Sequence, residues 1–278
     1  MNDEPRRIGL IGDPVEHSLS PAFQQPAFDA LGLNIRFELW HTAREDVPAR
    51  MDDIRSGRVL GANVTVPHKE IAHSLMDEVS DVARRAGAVN TVVLRDGRLF
   101  GDNTDVHGFG VPLHERGFAF GSSAAVILGA GGAARAVAVA LLDAGIQRVT
   151  IVNRTVSRAE AIAQSLANER ITAVGTDALA SAADGAMLLV NATSLGWSGS
   201  DSPLSADTFS LLGAGAIAYD LTYRETPFLQ AATAAGVETI DGLPMLVHQG
   251  AKAFEIWTGQ TAPIDVMWQS ALAARKMK

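Results

Sequence analysis

The chain has 278 residues, of which 47% are hydrophobic, 19% are charged and none is cysteine. This length suits two medium domains with real cores, and the absence of cysteine excludes a disulfide framework, thiolate metal ligands and a cysteine nucleophile while agreeing with the reducing cytoplasm. The formal net charge of −8, with no long basic block, excludes nucleic acid and anionic membranes as expected partners and leaves small molecules.

The opening "MNDEPRRIGL" has acidic residues and no apolar run before its first strand, so it does not read as a signal peptide. "RIGLIG" is a strand, and Ser20 with Pro21 at the first helical position opens a helix. A second strand follows near Phe37 to His41, and then a helix over Val47 to Ser56. In "ANVTVPHKE" the β-branched run Asn63 to Val66 reads as a strand that Pro67, lacking a ladder donor, ends. Lys69 therefore falls at the carboxyl edge of a sheet, where open α/β sheets bind ligands. Helices are expected from Lys69 to Met76 and near Val79 to Ala86. "AVNTVVLRDGRLFGDNTD" is two strands joined through Asp96-Gly97, a strong hairpin signal.

"DNTDVHGFGVPLHERG" reads as a connecting helix. Beyond it, near-continuous apolar strands ("AAVILGA", "RVTIVN", "ITAVG", "MLLVNAT", "AIAYDLT") alternate with segments of helical period, as in a doubly wound parallel sheet covered on both faces. "LPMLVHQGAKAFEIWTG" and "PIDVMWQSALAARKMK" are two helices expected to pack back on the first half. The expected division is 1–105 with 243–278 as a substrate-binding and catalytic domain, and 106–242 as a Rossmann-like cofactor domain. The most apolar tract, Ala124 to Leu142, is broken by glycines and Arg135, so no membrane span is expected.

Strand "AAVIL" runs into "GAGGAARA". Gly129, Gly131 and Gly132 there permit a tight turn, a close approach of backbone to pyrophosphate, and free amide donors at a helix N-terminus. After the next strand, NAD-binding domains usually place an acidic residue for the ribose 2′-hydroxyl. This chain has "NRTVSR". Asn153 and Thr155 are uncharged, and Arg154 and Arg158 bring two guanidinium groups, whose planar fork suits a phosphate. NADP is the expected cofactor, and no metal is expected.

Nine motifs in order, "GDPVEHSLSP", "NVTVPHK", "GAVNT", "GDNTD" with Gly108-Phe109, "GAGGAARA", "NRTVSR", "VNATSLG", "YDLTY" and "DGLPMLVHQGA", resemble the shikimate dehydrogenase family over nearly the whole chain. The resemblance implies reversible NADPH-dependent reduction of 3-dehydroshikimate to shikimate, in a cleft between the two domains, by a monomer or homodimer. Within the same class it leaves open a quinate/shikimate or aminoshikimate dehydrogenase, and further off a non-catalytic NADP-binding module.

The resemblance also implies roles. Lys69 and Asp105 would form the catalytic pair. Ser18 and Ser20 would bond the substrate carboxylate, Thr65, Asn90 and Gln249 its ring hydroxyls, and Tyr223 would lie near it. Ala130, Ala133, Thr193, Leu221, Gly242 and Asp81 would join the glycines and "NRTVSR" at the cofactor. Simpler readings stand beside these: Asp105 as a helix N-cap, Ser18 and Ser20 as turn and cap residues, Tyr223 as packing, Asp81 as a solvated first-turn carboxylate. His17 and His68 are given no role. The chain departs from the family's Ser-Pro-x-x-His-Asn at "SPAFQQPAF", where Gln24 and Gln25 stand in the last two places and Pro26 should kink the helix.

Overall fold

The computed structural model describes residues 4–196, 204 and 206–277. The opening residues Asn2 and Asp3 lie outside them. The chain divides into two compact units, residues 1–108 with 246–278 and residues 109–245.

In the first unit, β1 (Arg6–Gly12), α1 (Ser20–Ala30), β2 (Ile35–His41), α2 (Val47–Arg55), β3 (Gly61–Val64), α3 (Lys69–Ser74), β4 (Glu78–Val79), α4 (Asp81–Ala86), β5 (Thr91–Arg95) and β6 (Arg98–Asp102) follow one another. Helix α5 (Thr104–Glu115) leads on from them. The six strands make one mixed sheet in the order β2-β1-β3-β5-β6-β4. Strands β2, β1 and β3 are parallel, and β5 runs antiparallel to both β3 and β6. Strand β1 is buried from Ile8 onward, as its apolar run requires, and Ile11, Trp40, Ile54, Val92 and Leu99 meet in the core.

The β5–β6 turn is as the Asp-Gly pair dictates: Asp96 and Gly97 both have positive φ, 49° and 76°, the geometry that matches strand twist in a two-residue hairpin. Two expectations change. Val79 belongs to the short edge strand β4, and α4 starts at Asp81 with Ser80 as its cap, its hydroxyl accepting from the Ala83 N–H. Ser20 is the first residue of α1 rather than its flanking cap. The Ser18 hydroxyl accepts from the Ser20 N–H at 3.1 Å, because Pro21 has no N–H to offer. Helix α1 continues through Pro26 to Ala30.

Gln24 and Gln25 have distinct work. Buried Gln24 donates through Nε2 to the Gly250 carbonyl at 2.9 Å. Gln25 donates to the Ile35 carbonyl at 3.0 Å and accepts from the Phe37 N–H at 2.9 Å, so its amide lies along β2.

The second unit holds β7 (Ala124–Leu128), α6 (Gly132–Asp143), β8 (Arg148–Val152), α7 (Val156–Leu166), β9 (Ile171–Val174), α8 (Leu179–Ala183), β10 (Leu188–Asn191), β11 (Ile217–Asp220), α9 (Pro227–Ala234) and β12 (Glu238–Ile240). All six strands are parallel, in the order β12-β11-β10-β7-β8-β9. This is the Rossmann-like doubly wound sheet, and strand order reverses between β7 and β10, where such sheets bind ligands at their carboxyl ends. Alanines at 134, 136, 138 and 140 are buried, so α6 carries little side-chain bulk on its covered faces. Strand β12, only three residues long, is too short to carry a periodic signal.

The chain then returns to the first unit through α10 (Leu243–Thr258) and α11 (Ile264–Lys276). There α11 packs on α1, and Trp257 of α10 donates to the Val92 carbonyl at 3.1 Å. Among the described residues no helix is long and apolar enough to cross a membrane.

Gly9 tests this packing. A Cβ there would run into the Trp40 indole, whose other neighbours include the Arg50 guanidinium 5.3 Å from the ring centre. Gly9→Ala is expected to cost about 1–3 kcal/mol of overpacking, read as a lower urea midpoint by tryptophan fluorescence. Gly121→Ala, with nothing within 4 Å of its new methyl, should stay within about 0.5 kcal/mol of the parent.

Candidate active site

In the first unit, polar side chains gather where β3, β5 and β6 give way to α3 and α5. Lys69 begins α3, and its ammonium lies 2.5 Å from Asp105 Oδ2, with side-chain exposures of only 14% and 8%. Asp105 is the second residue of α5. Its other oxygen accepts from Asn90 Nδ2 at 2.9 Å, so the carboxylate is taken up by Lys69 and Asn90 and caps nothing. Lys69 has no further partner among the described residues, which leaves two ammonium hydrogens to offer.

Buried Asn90 organises this cluster. Its Nδ2 also donates to Thr104 Oγ1 at 3.0 Å, and its Oδ1 accepts from the Thr104 N–H at 2.8 Å and Thr91 Oγ1 at 3.0 Å. Asn63 Nδ2 donates to Thr91 Oγ1 at 3.1 Å, and Thr104 Oγ1 lies 3.4 Å from Gln249 Oε1. Lys69, Asn90, Asp105 and Gln249 are thus brought into one network, together with Asn63, Thr91 and Thr104, which the sequence reading did not single out. Their signal was faint but present, since Asn63, Thr91 and Thr104 all fall within motifs quoted for the resemblance.

Thr65 follows β3, half-buried, with its N–H bonded to the Ile11 carbonyl at 2.8 Å. Ser18 donates to Ser20 Oγ at 3.1 Å. His68 is buried and structural: its Nε2 donates to the Thr42 carbonyl at 2.7 Å. Asp81 sits exposed in the first turn of α4, paired with Arg84.

In the second unit, Gly129 follows β7 with φ 102°, and a Cβ there would lie 3.0 Å from the Ala192 carbonyl oxygen and 3.1 Å from the Thr193 methyl. Ala130 and Gly131 lead into α6, which starts at Gly132 and Ala133 with no side chain capping it, so its first amide donors remain on offer. Past β8, Asn153 Nδ2 donates to the Thr155 carbonyl at 2.8 Å, and Thr155 flanks α7. Arg154 and Arg158 are exposed, and neither forms an ion pair among the described residues. Thr193 follows β10, donating to Asn191 Oδ1 at 2.7 Å. Leu221 and half-buried Tyr223 follow β11. A Cβ on Gly242 would overlap the Leu221 carbonyl, so the two backbones meet without side chain between them.

Three family models match the chain. One described as the shikimate dehydrogenase substrate binding domain matches residues 10–92, one for shikimate / quinate 5-dehydrogenase matches 113–196, and one for the shikimate 5'-dehydrogenase C-terminal domain matches 242–272. The shikimate dehydrogenase (NADP(+)) of Symbiobacterium thermophilum is 43% identical over 277 residues, covering 97% of this chain and 94% of its own length. The chain belongs to the shikimate dehydrogenase family. The Moorella thermoacetica member is 44% identical over 94% of this chain and 90% of its own. Among solved members, the shikimate 5-dehydrogenase of Thermus thermophilus in complex with NADP(H) and shikimate superimposes with a TM-score of 0.86 at 43% identity, covering 97% of this chain and 99% of that one.

A further charged group, with no signal in the sequence, lies at the end of β2. His41, at the end of β2, reaches Asp13 Oδ1 at 3.1 Å through Nε2 and Glu16 Oε1 at 2.7 Å through Nδ1, clasping the loop that leads to Ser18. The Glu16 hydrogen bond, with help from both carboxylate charges, raises the His41 pKa, and the same bond lowers that of Glu16. The raised His41 pKa means its contribution to stability is full below its ordinary value near 6.5 and is lost as pH rises through the folded value. A proton NMR titration should place the His41 midpoint above 6.5 in the parent, and Glu16→Gln should bring it down.

Proposed function

We propose that the protein is an NADP-dependent shikimate dehydrogenase that reduces 3-dehydroshikimate to shikimate, reversibly, in the cytoplasm. The observation that carries this reading is the buried Lys69–Asp105 pair, with an ammonium that keeps donors to spare. Family membership and the amide-lined turn after β7 support it.

NADPH, when bound, supplies the hydride and leaves as NADP+. The residues present fit that group. The bare backbone at Gly129, the uncapped start of α6 at Gly132 and Ala133, and the unpaired guanidiniums of Arg154 and Arg158 suit a pyrophosphate and a 2′-phosphate. Asn153 and Thr155 would bound the adenosine end, with Ala130, Thr193, Leu221 and Gly242 lining the rest.

The chain's own part is the proton and the grip. Reduction of a ketone adds hydride to carbon and leaves negative charge on oxygen, which Lys69 can neutralise by giving that oxygen a proton from Nζ. Asp105 holds the ammonium in place, and Asn90 in turn holds Asp105. In the reverse direction Lys69, then neutral, takes the hydroxyl proton. Ser18 and Ser20 would bond the substrate carboxylate, and Thr65, Asn90 and Gln249 its hydroxyls, with Tyr223 beside them. Asp81, engaged with Arg84, is the weakest member of the inferred cofactor set.

Two outcomes check the reading. Lys69→Ala, shown to be folded by circular dichroism, should lose at least about 10²–10⁴-fold in kcat while shikimate binding measured by calorimetry largely survives. Asp105→Asn should lower kcat too, and the double variant should fall short of the product of the two losses. Near-parent turnover in Lys69→Ala would sink the mechanism.

Arg154→Ala should raise KM for NADP about ten- to a hundredfold, the worth of one charge-assisted bond to phosphate, and leave NAD little changed. Equal losses for both cofactors would show that this arginine does not read the 2′-phosphate.

A further inference from the structure

The end of β11 is an unusual place for a charge. Asp220 closes a wholly buried strand, is itself 0% exposed, and among the described residues its hydrogen-bond donors are all neutral: the Thr222 N–H at 2.9 Å with the Thr222 hydroxyl beside it, Thr226 Oγ1 at 2.7 Å and Asn191 Nδ2 at 3.1 Å. Desolvation is the largest influence on it and raises its pKa. A buried carboxylate without a cation is costly, and a neutral side chain could have joined β10 to β11 at less expense.

What only a carboxylate does here is accept from every side. Asn191 must therefore turn its Nδ2 toward Asp220, which aims its Oδ1 at the next loop. There it accepts both the Thr193 N–H at 3.1 Å and Thr193 Oγ1 at 2.7 Å. Thr193 and Ala192 in turn lie against the bare Gly129, and Thr193 Oγ1 accepts from the Leu195 N–H at 3.2 Å. On the other side Asp220 fixes the Thr222 N–H, and the Thr222 carbonyl accepts from the Gly242 N–H at 3.0 Å. One carboxylate thus sets the backbone that follows β10, β11 and β12 and the part of it that faces the turn after β7.

We propose that Asp220 is a positioning residue for the dinucleotide, holding Thr193, Leu221 and Gly242 in register with the Gly129 turn through Asn191 and Thr222. The inference rests on the cofactor reading above. Asp220 bonds Asn191, Thr222 and Thr226, and its effect is exerted on loops that serve the dinucleotide, Tyr223 being the one residue among them placed beside the substrate.

Asp220→Asn keeps the shape but lets a donor face three donors. By titration of intrinsic fluorescence, Kd for NADP should rise about tenfold, the loss of one hydrogen bond to a charged group, with NAD weakened alike and shikimate Kd within about twofold of the parent. That pattern separates it from Arg154→Ala, which spares NAD. Thr226→Val, which removes one donor to Asp220 together with the cap that the same hydroxyl gives the Leu229 N–H at the start of α9, should weaken NADP by a smaller factor, and Thr226→Ser, which keeps both bonds, should restore it; this pair, compared at matched folded fraction by circular dichroism, decides the matter if Asp220→Asn does not fold. A folded Asp220→Asn with parent NADP affinity, or one that loses NADP and shikimate equally, overturns the inference, as does Thr226→Val with unchanged NADP affinity. A parent protein that binds no NADP overturns the cofactor reading itself, and the inference with it.

Discussion

A carboxylate taken out of water can only accept, so every group around it must be turned to donate or the burial costs several kcal/mol. Each unit of this chain is arranged about one such group. Around Asp105 the donors are Lys69 and Asn90, and the direction forced on the Asn90 amide passes to Thr104 and Thr91. Around Asp220 they are Asn191, Thr222 and Thr226. The difference lies in the cation. Asp105 has an ammonium as partner, the group proposed to give the proton, whereas among the described residues Asp220 has none and its bonds set geometry alone.

Where side chains are excluded, the backbone does the rest. Gly242 is not interchangeable with alanine because the Leu221 carbonyl occupies the space a methyl would need, and Gly129 because its φ of 102° strains any side chain and the Ala192 carbonyl stands close behind it. The same close approach that forbids a side chain leaves peptide groups exposed at the carboxyl ends of parallel strands, where a dinucleotide can meet N–H donors rather than bulk. Alanine-rich α6 keeps that surface lean along its first turns.

Much of this was legible in the chain alone. The second sheet announces itself because its strands are buried on both faces, so "AAVIL", "MLLVN" and "AIAYD" read as unbroken apolar runs. Asp96-Gly97 specifies its turn because two positive φ angles leave few alternatives. What escaped was of two kinds. Strands β4 and β12 are too short for any period to show, and their pairing is decided by neighbours. The inner polar residues, Asn63, Thr91, Thr104, Asn191 and Asp220, were read as parts of motifs without a task, because their meaning lies in partners far along the chain, 29 positions apart for Asn191 and Asp220 and 145 for Thr104 and Gln249. A charged residue closing a buried four-residue strand, as Asp220 does, is the one such signal that the sequence carried openly.

The glutamine pair of α1 has a consequence of another sort. Strand β2 is the rim of its sheet, and a parallel rim strand shows solvent a row of unmet N–H and C=O groups that any passing extended chain could zip onto. Gln25 lays a primary amide against that row, giving to Ile35 and taking from Phe37 as a neighbouring strand would. The side chain is in effect a one-residue counterfeit strand. It takes up two of the rim's backbone groups without lengthening the sheet, so an extended chain arriving at the start of β2 would find that carbonyl and that N–H already engaged.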